Sequence, residues 1–381
     1  MRLFLAGDLM PGRGVDAVLP WALRDRTLRE RGASDARVYV DLARRASLIG
    51  SPEEVTRSVE DVLGDLLTTL DARAPLAIRL VNLESALTTS TSFWNKSVNY
   101  RASQKNGIAL LEALHIDVVT LANNHLMDFG SQGLLDTLGA LEASSIGHVG
   151  AGRSRSEAFC AKRIDRSDVT ASIFGVCMEN SGVPRAWYPG VTTPGVALLR
   201  GDDDVQKLMA AVTAERQWSP FWDRRLIIVS IHAGSNWGWD IEPEIIRLAH
   251  ALIDAGADVV HGHSSHHARR AELYRGRLIL FGCGELLNDY EGISDWDGFP
   301  ARDFGGNLRL AYFPEIDTVT GEFRAMEICV FRQADCFCVR RAPPMSVEHE
   351  LSLLKDQYLA GGMHLVLDSS SSTLVATPCE F

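Results

Sequence analysis

Short apolar runs that end in a polar or charged residue recur along this chain. Leu3–Ala6 runs into Gly7-Asp8, Leu76–Val81 into Asn82-Leu-Glu84, and Asp117–Ala122 into Asn123-Asn124-His125. Further on, Leu226–Ile231 leads to His232, and Ala257–Val260 to His261-Gly-His-Ser-Ser-His-His267. Each run has the length and apolar character of a buried strand. Ala171–Cys177 and Arg277–Phe281 read the same way, and residues 308–314 and 323–331 predict an antiparallel pair around the turn Thr318–Gly321.

Helical spacing fills the gaps between the strands. Ser51-Pro52-Glu53-Glu54 has the form of an N-cap followed by a first turn, and Val55, Val59, Val62, Leu63, Leu66, Leu67 and Leu70 then share one face, so one helix is expected there. Helices are also predicted over Ile108–Leu114, after a Ser131 cap with Leu134, Leu135, Leu138 and Leu141 inward, over 202–214, over Pro243–Ala255 and near 346–360. Strands alternating with helices predict an α/β fold that gathers its chemistry at the carboxyl ends of the strands. With no repeat and no long linker, the chain reads as one domain over residues 1–335, with 336–381 as an extension packed on it and Ser369–Ser372 exposed.

Composition narrows the partners. The 381 residues are 46% hydrophobic with a net charge of −11, and no basic run exists that would neutralise a phosphate backbone, so nucleic acid is not expected. After Arg2 only five apolar or small residues precede Asp8, too few for a signal-peptide core, and no apolar stretch approaches the ~20 residues of a membrane span. The expectation is a cytoplasmic protein without a membrane partner. Seven scattered cysteines fit neither a zinc nor a disulfide framework and are expected to be reduced thiols, mostly buried. Nothing in the chain signals an oligomeric state.

The strand ends carry the candidate chemistry: Asp8, Glu84, Asn124 with His125, His232, and His263 with His266. Oxygen ligands and imidazoles gathered at successive strand tips suit a one- or two-metal site with an open position for water or substrate. Asp128, three residues after His125, is placed to fix that imidazole's tautomer. Lys96, Tyr100 and Arg101 lie in a polar, aromatic loop suited to gripping an anion, and Trp237 and Trp239 either wall a pocket or seal the core edge.

In order and spacing, Gly7-Asp8-Leu-Met10, Val81-Asn-Leu-Glu84, Leu121-Ala-Asn-Asn-His125, Ile231-His232 and Gly262-His263-Ser-Ser-His266 resemble the motifs of CapA (poly-γ-glutamate capsule synthesis) proteins, a branch of the calcineurin-like metallophosphatase superfamily. The resemblance runs from residue 2 to about 315 and takes in Asn99-Tyr100-Arg101 and Phe281–Gly292. It implies a four-layer α/β/β/α sandwich of the calcineurin-like metallophosphatase type. It also implies metal ligation by Asp8, Glu84, Asn124, His232, His263 and His266, with His125 as the acid/base group. Two departures, Met10 where the superfamily has a histidine and a last histidine pair spaced by three rather than two, argue against a full phosphatase-type dinuclear centre.

Capsule proteins of this kind are typically membrane-anchored, and no anchor is read here. The chain therefore looks more like the soluble CapA-like tailoring enzymes of ribosomal peptides, among them the peptide epimerases of lasso-peptide pathways. That likeness implies Cα epimerisation near a carboxyl group of a peptide substrate, including a ribosomal precursor peptide. His125, His266 and Asp8 would be the proton carriers, Lys96 and Arg101 would hold a carboxylate, and Trp237 and Trp239 would pack on a side chain. A divalent ion, Mn, Zn, Ca or Fe, and no organic cofactor is expected. The alternatives are a metal-dependent hydrolase of a phosphoester or amide, poly-γ-glutamate included, and a non-catalytic peptide- or carboxylate-binding protein.

Overall fold

The computed structural model describes all residues except 48–54, 74, 77, 167–168, 219–223, 294–303, 305–307, 343, 369–370, 372 and 380–381. Two large sheets dominate a mixed α/β fold. The larger has ten strands, in spatial order Met363–Asp368, Thr373–Pro378, Phe323–Ala334, Leu308–Ile316, Glu285–Leu287, Leu3–Leu9, Ile78–Leu83, Val118–Thr120 and Gly147–Val149, with Cys338–Arg341 beside Phe323–Ala334. The smaller has seven, in the order Lys162–Arg166, Val169–Met178, Arg225–His232, Val259–His263, Arg277–Leu280 and Ala271–Tyr274, with Leu198–Leu199 beside Val169–Met178.

The period-two alternation of each strand decides what each sheet face meets. Leu3, Leu5, Ile78, Leu80 and Val118 from the larger sheet share one core with Ile173, Leu226, Ile228 and Val259 from the smaller. Phe4, Val81 and Val119, on the opposite face, pack with Leu66, Leu110 and Leu138 of the helices Asp65–Asp71, Gln104–Ala113 and Gly130–Ala143. Phe174, Val229 and Val260 likewise pack with Leu208, Leu248 and Leu252 of Asp202–Gln217 and Pro243–Ala255. Inside each sheet the central strands are parallel, with Asp8 opposite Asn82 and His232 opposite His263, so polar strand ends arrive side by side.

Two local expectations are corrected. The helix expected across residues 52–70 is two helices, Val59–Leu63 and Asp65–Asp71, capped by Ser58 in a reciprocal box with Asp61 and broken at Gly64. Gly64 has φ +47, and a Cβ there would lie 2.3 Å from the Val339 carbonyl oxygen, so the close approach of Cys338–Arg341 forces the break. Val55 precedes the helix, and the expected cap Ser51–Glu54 lies outside the described residues. Ser131 does not cap its helix, which begins at Gly130 after Phe129 without a side-chain cap. The extension after residue 335 contributes Cys338–Arg341, Met363–Asp368 and Thr373–Pro378 to the larger sheet, besides the helix Pro344–Ala360.

Of the expected serine-rich surface, Ser371 is exposed and its neighbours lie outside the described residues. All seven cysteines are free thiols, five of them buried. Among the described residues no helix is long and apolar enough to cross a membrane.

Gly7 shows how tightly the strand ends are built. A Cβ on it would sit 1.8 Å from the Gly284 carbonyl oxygen, a backbone atom fixed by the Asp8 N–H donating to it at 2.9 Å. Gly7→Ala is therefore expected to destabilise the protein by about 3 kcal/mol or more through overpacking, read as a lower urea midpoint. An unchanged midpoint would show that this strand pair can part freely.

Candidate functional site

The strand order brings the polar ends to a single buried place. At its centre the Asn82 amide donates to Asp8 Oδ1 at 2.8 Å and to Glu84 Oε2 at 2.9 Å, holding two carboxylates side by side. Asn123 supports it from the next strand, donating to Asn82 Oδ1 at 2.9 Å while its own oxygen caps the His125 and Leu126 N–H groups. Burial in the first place pushes Asp8 up to about 6, and burial together with the neighbouring Asp8 raises Glu84 well above the ordinary carboxylate range. Two like charges so placed call for a cation or a shared proton.

The smaller sheet supplies nitrogen. His232 and His263 end adjacent strands with their Nδ1 atoms 2.8 Å apart, and His263 Nδ1 is 3.9 Å from Asp8 Oδ1. Ser230 Oγ lies 2.9 Å from His263 Nε2 and 3.0 Å from His261 Nδ1, and His261 Nε2 is anchored on the Ala6 carbonyl at 2.9 Å. His261 thus belongs to the scaffold. Burial keeps His232 and His263 well below the ordinary histidine range, in the neutral form that binds metal.

Ligand atoms of Asp8, His232 and His263 all lie within 4.8 Å of one another. Asp8 Oδ2, Asn124 Oδ1 and His232 Nε2 are buried without a hydrogen-bond partner. Buried polar atoms are seldom left unpaired, and this mixed oxygen and nitrogen set fits a divalent ion.

Two further imidazoles stand at the two ends of the carboxylate pair. His125 Nε2 is 3.8 Å from Glu84 Oε1, and its Nδ1 is 2.6 Å from Asp128 Oδ2. Burial, then the Lys96 ammonium, brings His125 down to about 4. At the other end His266 Nδ1 lies 3.8 Å from Asp8 Oδ2 and 2.9 Å from Glu285 Oε1. Burial opposes its charge, but Glu285 and Asp8 raise His266 above the ordinary value. Glu285 is steadied in turn by Asn288 and by Arg309, whose Nη1 is 3.4 Å away. The three-residue spacing from His263 to His266 has a local cause: Ser264 adopts φ +99, its hydroxyl bonded to the Gly234 carbonyl at 3.0 Å. A strained turn of this kind persists only where its surroundings impose it.

Lys96, Tyr100 and Arg101, expected to grip an anion, are engaged with the protein itself. Lys96 Nζ pairs with Asp128 Oδ1 at 2.8 Å, lies 3.1 Å from His125 Nδ1 and donates to the Asn124 carbonyl. Arg101 donates to the Ser90 and Asp25 carbonyls, pairs with Asp25 Oδ2 at 3.0 Å and packs over the Phe129 ring. Tyr100 meets His125 edge-on at 4.5 Å, and its hydroxyl is 3.1 Å from that of Tyr290, which meets His266 edge-on at 5.6 Å. A tyrosine pair thus spans the two imidazoles. Trp237 touches His266 at 5.7 Å and stacks on His267 at 5.9 Å, while Trp239 meets His267 at 4.8 Å, forming a half-exposed aromatic wall with Phe304.

Sequence reasoning did not find Glu285, Asn123, Ser230 or the clamp around Arg13. Arg13 Nε donates to Asp289 Oδ2 at 3.0 Å and Nη1 to Glu30 Oε2 and Tyr39 at 2.9 Å each, and its guanidinium lies 4.1 Å from the Tyr100 ring centre. Glu285 had one signal, since it follows an apolar run just as Asp8 and Glu84 do, with Gly-Cys-Gly between.

Comparison with known proteins gives the family. Residues 2–290 match the family described as bacterial capsule synthesis protein PGA_cap. The chain is 39% identical over 338 residues, 87% of itself and 84% of the relative, to a probable polyglutamine synthesis accessory protein of Mycobacterium tuberculosis. It is 28% identical to the PGA biosynthesis protein CapA of Bacillus subtilis over 49% of this chain and 46% of that one. A capsule biosynthesis protein CapA of Bacillus anthracis is 26% identical over 51% and 45%. The chain thus belongs to the PGA_cap family of bacterial capsule synthesis proteins, the CapA-like proteins.

Proposed function

We propose that this protein is a metal-dependent, CapA-like enzyme that acts on a polypeptide and epimerises a Cα next to a carboxyl group. One observation carries the reading. Two imidazoles, His125 hydrogen-bonded through Nδ1 to Asp128 and His266 with its Nδ1 2.9 Å from the Glu285 carboxylate, flank the Asp8–Glu84 pair at opposite ends. Epimerisation needs two such groups, one to take the α-proton and one to return a proton to the other face. His125, held neutral by burial, takes the proton at Nε2, and His266, whose protonated form the Glu285 and Asp8 carboxylates favour, gives one back. Asp8 sits between them as a third proton carrier.

Asp8, Glu84, Asn124, His232 and His263 would hold the divalent ion, with His266 at its edge. When bound, the ion supplies positive charge that stabilises the oxygen next to the reacting carbon. Lys96 acts behind His125 through Asp128 rather than on the substrate, and Trp237 and Trp239 offer a wall for a peptide side chain. The packing of helices, sheet, sheet and helices supports the four-layer α/β/β/α reading of the fold, and a cytoplasmic peptide, a ribosomal precursor included, suits the enzyme. Hydrolysis is the second reading, favoured by the orphaned Asp8 Oδ2, Asn124 Oδ1 and His232 Nε2, since a metal centre built from them also suits amide cleavage in a polyglutamate-type chain.

The test is incubation of the protein, with and without Mn, Zn, Ca or Fe, with carboxyl-terminal peptides and poly-γ-glutamate in heavy water. Epimerisation predicts deuterium at Cα of an unshortened chain and inverted configuration on chiral analysis. Shortened chains without exchange would replace it with hydrolysis.

A further inference from the structure

A second pocket lies behind the loop that backs the candidate site. Its cavity, about 400 Å³, is lined by Phe159, Tyr188, Val191, Leu208 and Ala211, with Arg155 at the lip. Three features distinguish it from a packing gap. Val191 is 83% exposed, an apolar side chain left in water beside an apolar hollow. The Arg155 guanidinium lies 4.8 Å from the Tyr188 ring centre, and among the described residues no carboxylate pairs with it. The other charges nearby are already matched: Asp204 accepts from the Tyr188 hydroxyl at 2.8 Å and from the Arg200 N–H at 3.1 Å, and Lys207 pairs with Asp203.

The pocket is also joined to the site. Tyr188 follows Trp187, which is buried edge-on against Trp94 at 5.6 Å, and the ammonium of Lys96 stands 5.6 Å from the Trp187 ring centre. The Arg155 N–H donates to the Gly190 carbonyl at 2.7 Å, tying the lip to the same loop. One short segment therefore meets Trp94 and Lys96 with one aromatic ring and the pocket with the next.

We propose that this pocket is a recognition subsite for an apolar residue flanked by a carboxylate, at a position of the polypeptide substrate remote from the reacting carbon. The hollow takes the apolar side chain and Arg155 takes the carboxylate, as an unpaired guanidinium over an aromatic face is suited to do. This rests on the reading of the substrate as a polypeptide, but not on which bond the enzyme changes.

The probe is N-acetyl-phenylalanyl-glutamate, titrated calorimetrically into the full chain without turnover. Saturable binding is expected, weakened about tenfold by Arg155→Gln and likewise by Val191→Asp, which sets a repelling carboxylate at the lip. Both positions are exposed at the lip, and circular dichroism confirms that the variants fold. No binding, equal binding by the variants, or binding of decanoate in preference to the peptide would overturn the subsite. Because the readout is affinity, a failed epimerisation assay leaves this result intact, and a failed titration leaves the epimerase reading intact.

Discussion

On the proposed function, the His125→Ala protein is expected to fold, to bind a divalent ion as well as the unaltered chain, and to turn the proposed substrate over about 10² to 10⁴ times more slowly. The separation of the two effects follows from where His125 stands. Its Nδ1 is committed to Asp128 at 2.6 Å and its Nε2 faces Glu84 at 3.8 Å, so it borders the candidate metal site but stands outside the group formed by Asp8, His232 and His263. His232→Ala is expected to behave differently, losing ion binding and turnover together, because His232 belongs to that group. Asp128→Asn should fall between the two, since an amide there keeps the contact but no longer fixes the tautomer that leaves Nε2 able to accept a proton. Chiral analysis of the product gives the rates, and equilibrium dialysis followed by elemental analysis gives the ion content. Full turnover by His125→Ala would remove it from the chemistry, and loss of the ion in the same variant would make it a ligand.

The candidate site was legible in the sequence because parallel strands collect their carboxyl ends at one edge. Asp8, Glu84, His125, His232, His263 and His266 each follow an apolar run, and the register of Asp8 against Asn82 and of His232 against His263 does the rest. The fold class and most strands were legible from the same pattern. What stayed hidden depends on contacts that leave no local mark. Arg101 looks like an anion-binding residue in a polar loop, yet it serves the Ser90 and Asp25 carbonyls and packs on Phe129, because burial at 5% exposure obliges it to satisfy its donors within the protein. Glu285 reads as part of a glycine-rich turn until His266 is folded back onto it by the strained Ser264. The hairpin Met363–Asp368 and Thr373–Pro378 also escaped notice, although Met363, Leu365, Leu374 and Ala376 alternate into the core between the sheets.

Arg13→Ala is the stability counterpart, expected to cost about 3–5 kcal/mol. The Asp289 side chain is fully buried, and Arg13 is its charge partner, bound through two nitrogens. Removing the guanidinium leaves a carboxylate in the interior with little besides the Gly14 N–H to answer it, at 3.0 Å. It also withdraws the cation packed between Tyr39 and Tyr100, 3.8 and 4.1 Å from their ring centres, and leaves the Glu30 carboxylate, 2.9 Å from Arg13, with the Tyr39 hydroxyl but without its cation. Arg13→Lys keeps the charge but not the fork and should recover only part of the loss. The double variant Arg13→Met with Asp289→Leu should be more stable than Arg13→Ala, because the cost lies in the unpaired charge rather than in the missing contact. Urea melts of the full chains measure all three, and a wild-type midpoint for Arg13→Ala would contradict the clamp. Tyr100 and Tyr290 stand between Arg13 and the two imidazoles. Turnover by Arg13→Lys, measured well below its melting range, therefore reports whether the clamp also sets the rings of His125 and His266: a fallen kcat at unchanged KM says that it does.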